Sequence, residues 1–297
     1  MYGLPGRFGS ARRTCRALLF TAVLLLASLN LSCTGPGSAV SVATPQCPSN
    51  IHVKNRASLN SITWIVGATS IALLLRTGAS RALIYRAFNN SRSYVYAATP
   101  SGLGVPTAYY TSYAEIEEAI KTGKLPGRFK AVIYDNERWQ GTPVAEQRNP
   151  ARYERLTGRL LRRHNLIYIA TPTPDLTWST GNPGEDSYLA YLQRRIAGTA
   201  ARYAQIFDVQ GQVREIDLRE FTSFNLAAAR QAGEVNPHIV VVMGLRTNPD
   251  PYTGAAATTK LIEAYNALAN FAKGFWLNVN GRPKPAICLL DEMYGHR

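Results

Sequence analysis

Short runs rich in β-branched and aromatic residues alternate with longer helix-patterned stretches from residue 61 to the C-terminal region. This alternation constrains the fold more than any other feature. Strand–helix–strand units set their strands parallel and bury the sheet beneath the helices between them. The strand candidates are Ser61–Val66, Ser93–Ala97, Lys130–Asp135, Leu166–Ala170, Gln205–Val209, His238–Met243 and Phe275–Val279. The helical stretches are Ile71–Phe88, interrupted at Gly78, then Ser112–Thr122, Asp186–Tyr203, Phe221–Ala232 and Thr258–Ala272. A further helix opens on Asn149-Pro150, a cap residue followed by proline in the first turn, and runs to Arg163. Ala286–Leu290 reads as either a last strand or a closing helix. Seven or eight strands in about 250 residues, without a Gly-rich phosphate turn, predict an α/β (β/α)8 TIM-like barrel. Its ends are expected to be irregular.

The first residues read as an export signal. Arg7, Arg12, Arg13 and Arg16 precede an apolar run from Ala17 to Leu31, and a small-residue stretch follows from Thr34 to Thr44. The run is shorter than the roughly 20 apolar residues that cross a bilayer. Residues 1–45 are therefore assigned to a signal peptide and spacer, and residues 46–297 to a single barrel domain. Cys33 ends the apolar run and resembles the lipidated cysteine of bacterial lipoproteins, although Asn30 and Leu31 occupy positions where a leucine and a small residue are usual. Lipidation there would hold the domain at a membrane surface; without it the domain is released. Setting aside Cys15 and Cys33 leaves Cys47 and Cys288. Two cysteines near opposite ends of an exported domain predict a disulfide; the alternative is two buried thiols.

The formal charge is +14, of which four units are the signal arginines, leaving +10 on the domain. Such a charge favours anionic partners such as wall polymers and acidic polysaccharide. The basic residues are spread, however, and Arg159, Arg162, Arg163, Arg194 and Arg195 fall on helical stretches as a solvated face would. With the extracytoplasmic address, this argues against nucleic acid.

In a barrel of this kind chemistry sits where the strands end, at their C-terminal side. Lys130–Asp135 delivers Asp135 and then Glu137, two residues apart and so on the face shared by Ala131 and Ile133, with Trp139 beyond them. Asp208 and Gln210 follow the same spacing, then Arg246 and Asn248, then Trp276 and Asn278. None of the four histidines falls at such a strand end and no Gly-x-Ser-x-Gly elbow is present, which argues against a His/Cys zinc site and an acyl-transfer triad. No metal and no cofactor is expected. Acids, amides and tryptophans are what glycoside hydrolysis uses: one carboxyl protonates the leaving oxygen, a second group supports the opposite face, and aromatic rings stack on sugar. Glu137, Asp135 and Asp208 are the catalytic candidates; Trp139, Gln210, Arg246, Asn248, Trp276 and Asn278 are the binding candidates. The competing assignment has the acids capping loops or pairing with Arg138 or Arg148, and the amides and tryptophans packing the rim.

Tyr134-Asp135-Asn136-Glu137 resembles the Asp-x-Glu strand end of chitinase-like barrel glycosidases that act on N-acetyl sugars. The resemblance is confined to that strand end; it implies Glu137 as general acid and Asp135 as its modulating partner. Across the chain, the segments Val132–Trp139, Gly244–Pro249 and Gly274–Asn278 resemble a group of secreted actinobacterial βα-barrel proteins, which implies export and a single domain. The expected function is an extracytoplasmic glycoside-hydrolase-like barrel acting, as a monomer, on a cell-wall or environmental polysaccharide. A non-catalytic barrel that binds wall glycan or another anionic polymer is the alternative.

Overall fold

The computed structural model describes residues 47–54, 61–125 and 127–295. The expected export segment, Cys33 and the expected start of the domain at residue 46 lie outside them. Eight strands are present: β1 (Thr63–Gly67), β2 (Ser93–Tyr96), β3 (Val105–Tyr110), β4 (Ala131–Tyr134), β5 (Ile167–Ala170), β6 (Ile206–Val209), β7 (Val240–Arg246) and β8 (Gly274–Asn278). Each pairs in parallel with its neighbours in chain order, and β8 returns to β1 through Trp64 opposite Phe275, so the sheet closes into a barrel.

Alternation along the strands separates two apolar regions. Ile65, Ala131, Ile133, Ile169, Ile206, Val242 and Trp276 fill the barrel interior. Their neighbours, including Trp64, Val66, Val132, Tyr134, Tyr168, Phe207, Met243 and Phe275, face the helical ring. A period of two along a strand and burial on both faces produce this division.

The ring comprises α1 (Ala68–Arg76), α2 (Arg81–Phe88), α3 (Tyr113–Lys121), α4 (Val144–Gln147), α5 (Pro150–Arg163), α6 (Leu176–Thr180), α7 (Ser187–Gln193), α8 (Ile196–Ala201), α9 (Leu218–Val235), α10 (Gly254–Leu268) and α11 (Pro283–Tyr294). Local chemistry sets several starts. The Ser112 hydroxyl accepts from the Glu115 N–H at the head of α3, and Asp217 accepts from the Arg219 and Glu220 N–H groups at the head of α9. The two longest expected helices are each divided, Ile71–Phe88 beside Gly78 at φ 110° and Asp186–Tyr203 at Arg195 with φ 52°.

Of the two readings of Ala286–Leu290, the closing helix is the one present, since the segment lies inside α11. The eighth strand is β3, which the sequence pattern concealed. Pro106 interrupts that run, and a proline ordinarily demotes a strand because it cannot donate to the ladder. Here its carbonyl still accepts from the Lys130 N–H at 2.9 Å. No helix separates β2 from β3; residues 97–104 make the crossover alone. Gly104 permits it, at φ +54° with any Cβ only 2.2 Å from the Ser93 carbonyl oxygen.

The two ends of the domain are fastened to each other. Trp64 on β1 donates from Nε1 to the Tyr294 hydroxyl on α11 at 2.9 Å. Cys47 is joined to Cys288 on α11, with the Cα atoms 5.5 Å apart. The expected disulfide is therefore present. Among the described residues no helix is long and apolar enough to cross a membrane.

Between barrel and helices lies a second buried carboxyl system. Glu154 on α5 is wholly buried and accepts a short hydrogen bond from the Tyr168 hydroxyl, while its Oε1 has no partner. Burial pushes its carboxyl up to about 8. The folded chain thus keeps a proton there that the unfolded chain, titrating near 4.5, has already released. Stability should fall as pH rises from that value through about 8. Glu154→Gln removes this dependence, so its melting temperature should fall less than that of the parent between pH 6 and pH 9. Parallel thermal melts at those two pH values would show equal falls if Glu154 were not the origin.

Candidate active site

Beyond the strands' C-terminal ends, a cavity of about 400 Å³ opens at the barrel mouth. Its wall is built from five strand-to-helix connections. Glu137 follows β4; Thr173, Pro174, Asp175 and Trp178 follow β5; Gln210, Gln212 and Val213 follow β6. Arg246 ends β7, Asn278 ends β8 with Asn280 after it, and Ser187 and Tyr188 at the head of α7 complete the wall.

Four expected residues therefore meet in one place: Glu137, Gln210, Arg246 and Asn278. Asp135 sits just beneath, 5% exposed, where its carboxylate accepts from the Tyr109 and Thr171 hydroxyls, each at 2.5 Å. Burial raises its pKa above the usual carboxyl range even though both hydroxyls favour the charged form. The Glu137 carboxyl is pushed up to about 8, first by burial and then by the charges of Asp135 and Asp175. It makes no hydrogen bond to any described residue. An acid that keeps its proton at neutral pH and faces a cavity is suited to proton donation.

The remaining expected residues lie elsewhere. Asp208 points into the barrel below the cavity, fully buried, with neither oxygen hydrogen-bonded to a described residue. Burial, and next the charge of Asp135, hold its pKa well above the ordinary value. It does not line the cavity. Trp276 lies one inward position below Asn278, packed edge-on against Tyr96 at 5.5 Å in the barrel interior. Asn248 is half-buried outside the lining, and its Oδ1 has no hydrogen-bond partner.

Trp139 is 43% exposed and its Nε1 donates to the Thr142 hydroxyl at 2.9 Å. Two-residue alternation fails there because the chain has left the strand: the Trp139 N–H donates to the Glu137 carbonyl, closing a turn. The tryptophan that does line the cavity is Trp178 on α6, with the Arg138 guanidinium 5.9 Å from its ring centre.

Asp175, at the end of the run after β5, is another wall residue that was not among the expected catalytic or binding residues. Its carboxyl accepts from the Arg138 N–H at 3.2 Å and from the Thr173 hydroxyl. Both it and Trp178 follow Thr171-Pro172-Thr173-Pro174. They reach the cavity only because the chain turns back into a short helix after Pro174, and residue alternation does not foresee that. Among the described residues, no group of three or more His, Cys, Asp and Glu side chains is placed to hold a metal ion.

A second cavity, about 520 Å³, is lined by Tyr96, Tyr109, Lys124 and Arg128 among others, with no carboxyl group. Tyr96 and Tyr109 are stacked with ring centres 5.4 Å apart.

No protein-family model matches the sequence, and no curated protein matches it. Among solved structures the barrel is similar to bee venom hyaluronidase, at 9% identity and a TM-score of 0.44, over 78% of this chain and 96% of that one. It is similar to triosephosphate isomerase from Bartonella henselae at 11% identity and 0.42, over 78% and 99%. It is also similar to an active-site mutant of Rhizomucor miehei β-1,3-glucanosyltransferase in complex with laminaritriose, at 6% identity and 0.42, over 74% and 87%. Likeness of this degree assigns no chemistry, which rests on the residues of the site itself.

Proposed function

We propose that the protein is a glycoside hydrolase working outside the cytoplasm on a cell-wall or environmental polysaccharide. The observation that carries this reading is Glu137: a carboxyl on a cavity wall, at the catalytic end of a closed barrel, with its pKa pushed up to about 8. In this scheme Glu137 donates its proton to the glycosidic oxygen as the bond breaks. Asp175, the other carboxyl on the wall, supports the opposite face of the sugar, either by activating water or by meeting the anomeric carbon. Asp135 is a positioning residue: held by Tyr109 and Thr171, its charge keeps the proton on Glu137. Trp178 and Tyr188 offer apolar faces to a sugar ring, and Gln210, Gln212, Asn278 and Asn280 offer amides to its hydroxyls. Asp208 is buried below the cavity, where the charge of Asp135 adds to the burial that raises its pKa, and it takes no direct part in this scheme.

The address outside the cytoplasm is supported by the Cys47–Cys288 disulfide, a bond that oxidising compartments favour, and by the signal-like first residues. The test is to incubate the mature domain and its Glu137→Gln variant with a panel of neutral, N-acetylated and acidic glycans and to follow reducing-end release. Product from the parent and none from the variant supports hydrolysis. Equal glycan binding by both, without product from either, assigns a binding barrel instead.

A further inference from the structure

The cavity wall carries one cationic side chain, Arg246, which is loosely ion-paired to Glu215 and keeps hydrogen-bond donors that a ligand could take. Arg246 ends β7, and its side chain is only 17% exposed. Behind it stands Glu215, from the 3-10 helix Gln212–Ile216, with 1% exposure. Glu215 accepts the Arg246 backbone N–H at 3.0 Å through Oε1. Its Oε2 lies 3.8 Å from the Arg246 Nε, too far for a hydrogen bond, and both of those atoms are buried without a partner. The guanidinium donates to no described residue. Glu215 thus fixes the base of the arginine while leaving its directional donors unsatisfied.

Two further features stand beside those donors on the cavity wall. Tyr188 lines the same wall and is near enough to feel the charges of Arg214, Arg246 and Asp175, that of Arg214 first. Gly244, two residues before Arg246, leaves room for the Gln212 amide, which a Cβ would meet at 2.1 Å. Gln212 in turn donates to the Gln210 side chain at 2.8 Å, which holds two cavity amides beside the arginine.

We propose that the preferred substrate is an acidic glycan and that Arg246 binds the carboxylate of one of its sugars. This rests on the glycosidase reading of the cavity and names the substrate class for it. A guanidinium fork matches a carboxylate in plane and in spacing. The charge count favours a carboxylate over a phosphate, because one arginine faces a wall that also bears Glu137 and Asp175, where a dianion meets more repulsion than a monoanion.

The test uses tetrasaccharide fragments of galacturonan, alginate and heparosan, each beside a counterpart whose carboxyl groups have been reduced to alcohols. Binding is measured by calorimetry on the Glu137→Gln protein, which holds ligand without turnover. At least one uronate fragment should bind ~10- to 100-fold more tightly than its reduced counterpart, the range of a charge-assisted hydrogen-bonded pair. Adding Arg246→Gln should erase that preference, and Arg246→Lys should restore only part of it. The reduced-glycan comparison requires no change to the protein, so a misfolded Arg246 variant leaves it standing.

No preference for carboxylate, or a preference that survives Arg246→Gln in a folded protein, overturns the proposal. So does failure of every uronate fragment to bind. Failure of the two readings is distinguishable. Hydrolysis of neutral glycans alone sinks the acidic subsite and keeps the hydrolase. Arg246-dependent uronate binding without turnover by the parent keeps the subsite and sinks the hydrolase.

Discussion

Glu137→Gln is expected to lower turnover by ~10²- to 10⁴-fold while leaving the melting temperature within a few degrees of the parent. The variant keeps size and polarity but has no acidic proton to give. Because the Glu137 carboxyl makes no hydrogen bond to the described residues and lies on a cavity wall, little of the fold depends on it. Its neighbour provides an independent check. The charge of Asp135 is one cause of the raised Glu137 pKa, so Asp135→Asn removes a like charge and lets that pKa fall. The protonated form of Glu137 is then lost at lower pH, and the alkaline limb of the rate profile should move toward acid. A Glu137→Gln enzyme with near-parental turnover, or an Asp135→Asn profile with an unmoved alkaline limb, would remove Glu137 from the general-acid role.

Loss of the Cys47–Cys288 bridge is expected to produce the largest change in stability. The bond closes a loop of 241 residues in sequence separation, and the chain-entropy relation gives about 5–6 kcal/mol for a loop of this length. For a domain of this size that corresponds to a fall in melting temperature of roughly 10–20 °C. Cys288 is fully buried on α11, the helix that also receives the Trp64 hydrogen bond through Tyr294 and so joins the end of the chain to β1. Cys47→Ser alone, the double Cys47→Ser/Cys288→Ser variant and the reduced parent should therefore melt at nearly the same temperature, well below the oxidised parent. Melting of the reduced parent within about 3 °C of the oxidised protein would mean that α11 is held by packing instead.

The sequence and the tertiary structure contributed different things. Alternation of strand and helix patterns pointed to parallel strands buried on both faces, and chain length with the absence of a Gly-rich phosphate turn favoured a barrel over an open doubly wound sheet. The cysteine pair was also legible, since setting aside the signal-like first residues left two candidates, one near each end of the expected domain. Two features depended on more than the local pattern. The strand β3 contains Pro106 and joins β2 without a helix, so its place was recoverable only from the gap it fills between β2 and β4. The segment Ala286–Leu290 fitted either a buried strand or a closing helix until the structure placed it in α11, packed against α10, α1 and α2.

The site divides along the same line. Glu137, Gln210, Arg246 and Asn278 were found because each stands at or just beyond a strand end, where a two-residue period sets direction. Depth and loop return are not contained in that period. Trp276 and Asp208 share the inward face with the cavity residues but lie below the mouth, while Trp139 leaves the face once the chain turns. Asp175 and Trp178 enter it because the segment after β5 folds back over the barrel. By itself the sequence determined the barrel, the end-to-end cysteine pair and the direction each strand points its residues. Only the tertiary structure decided which of those residues meet, because a shared cavity is set by how far each strand extends and how each loop returns.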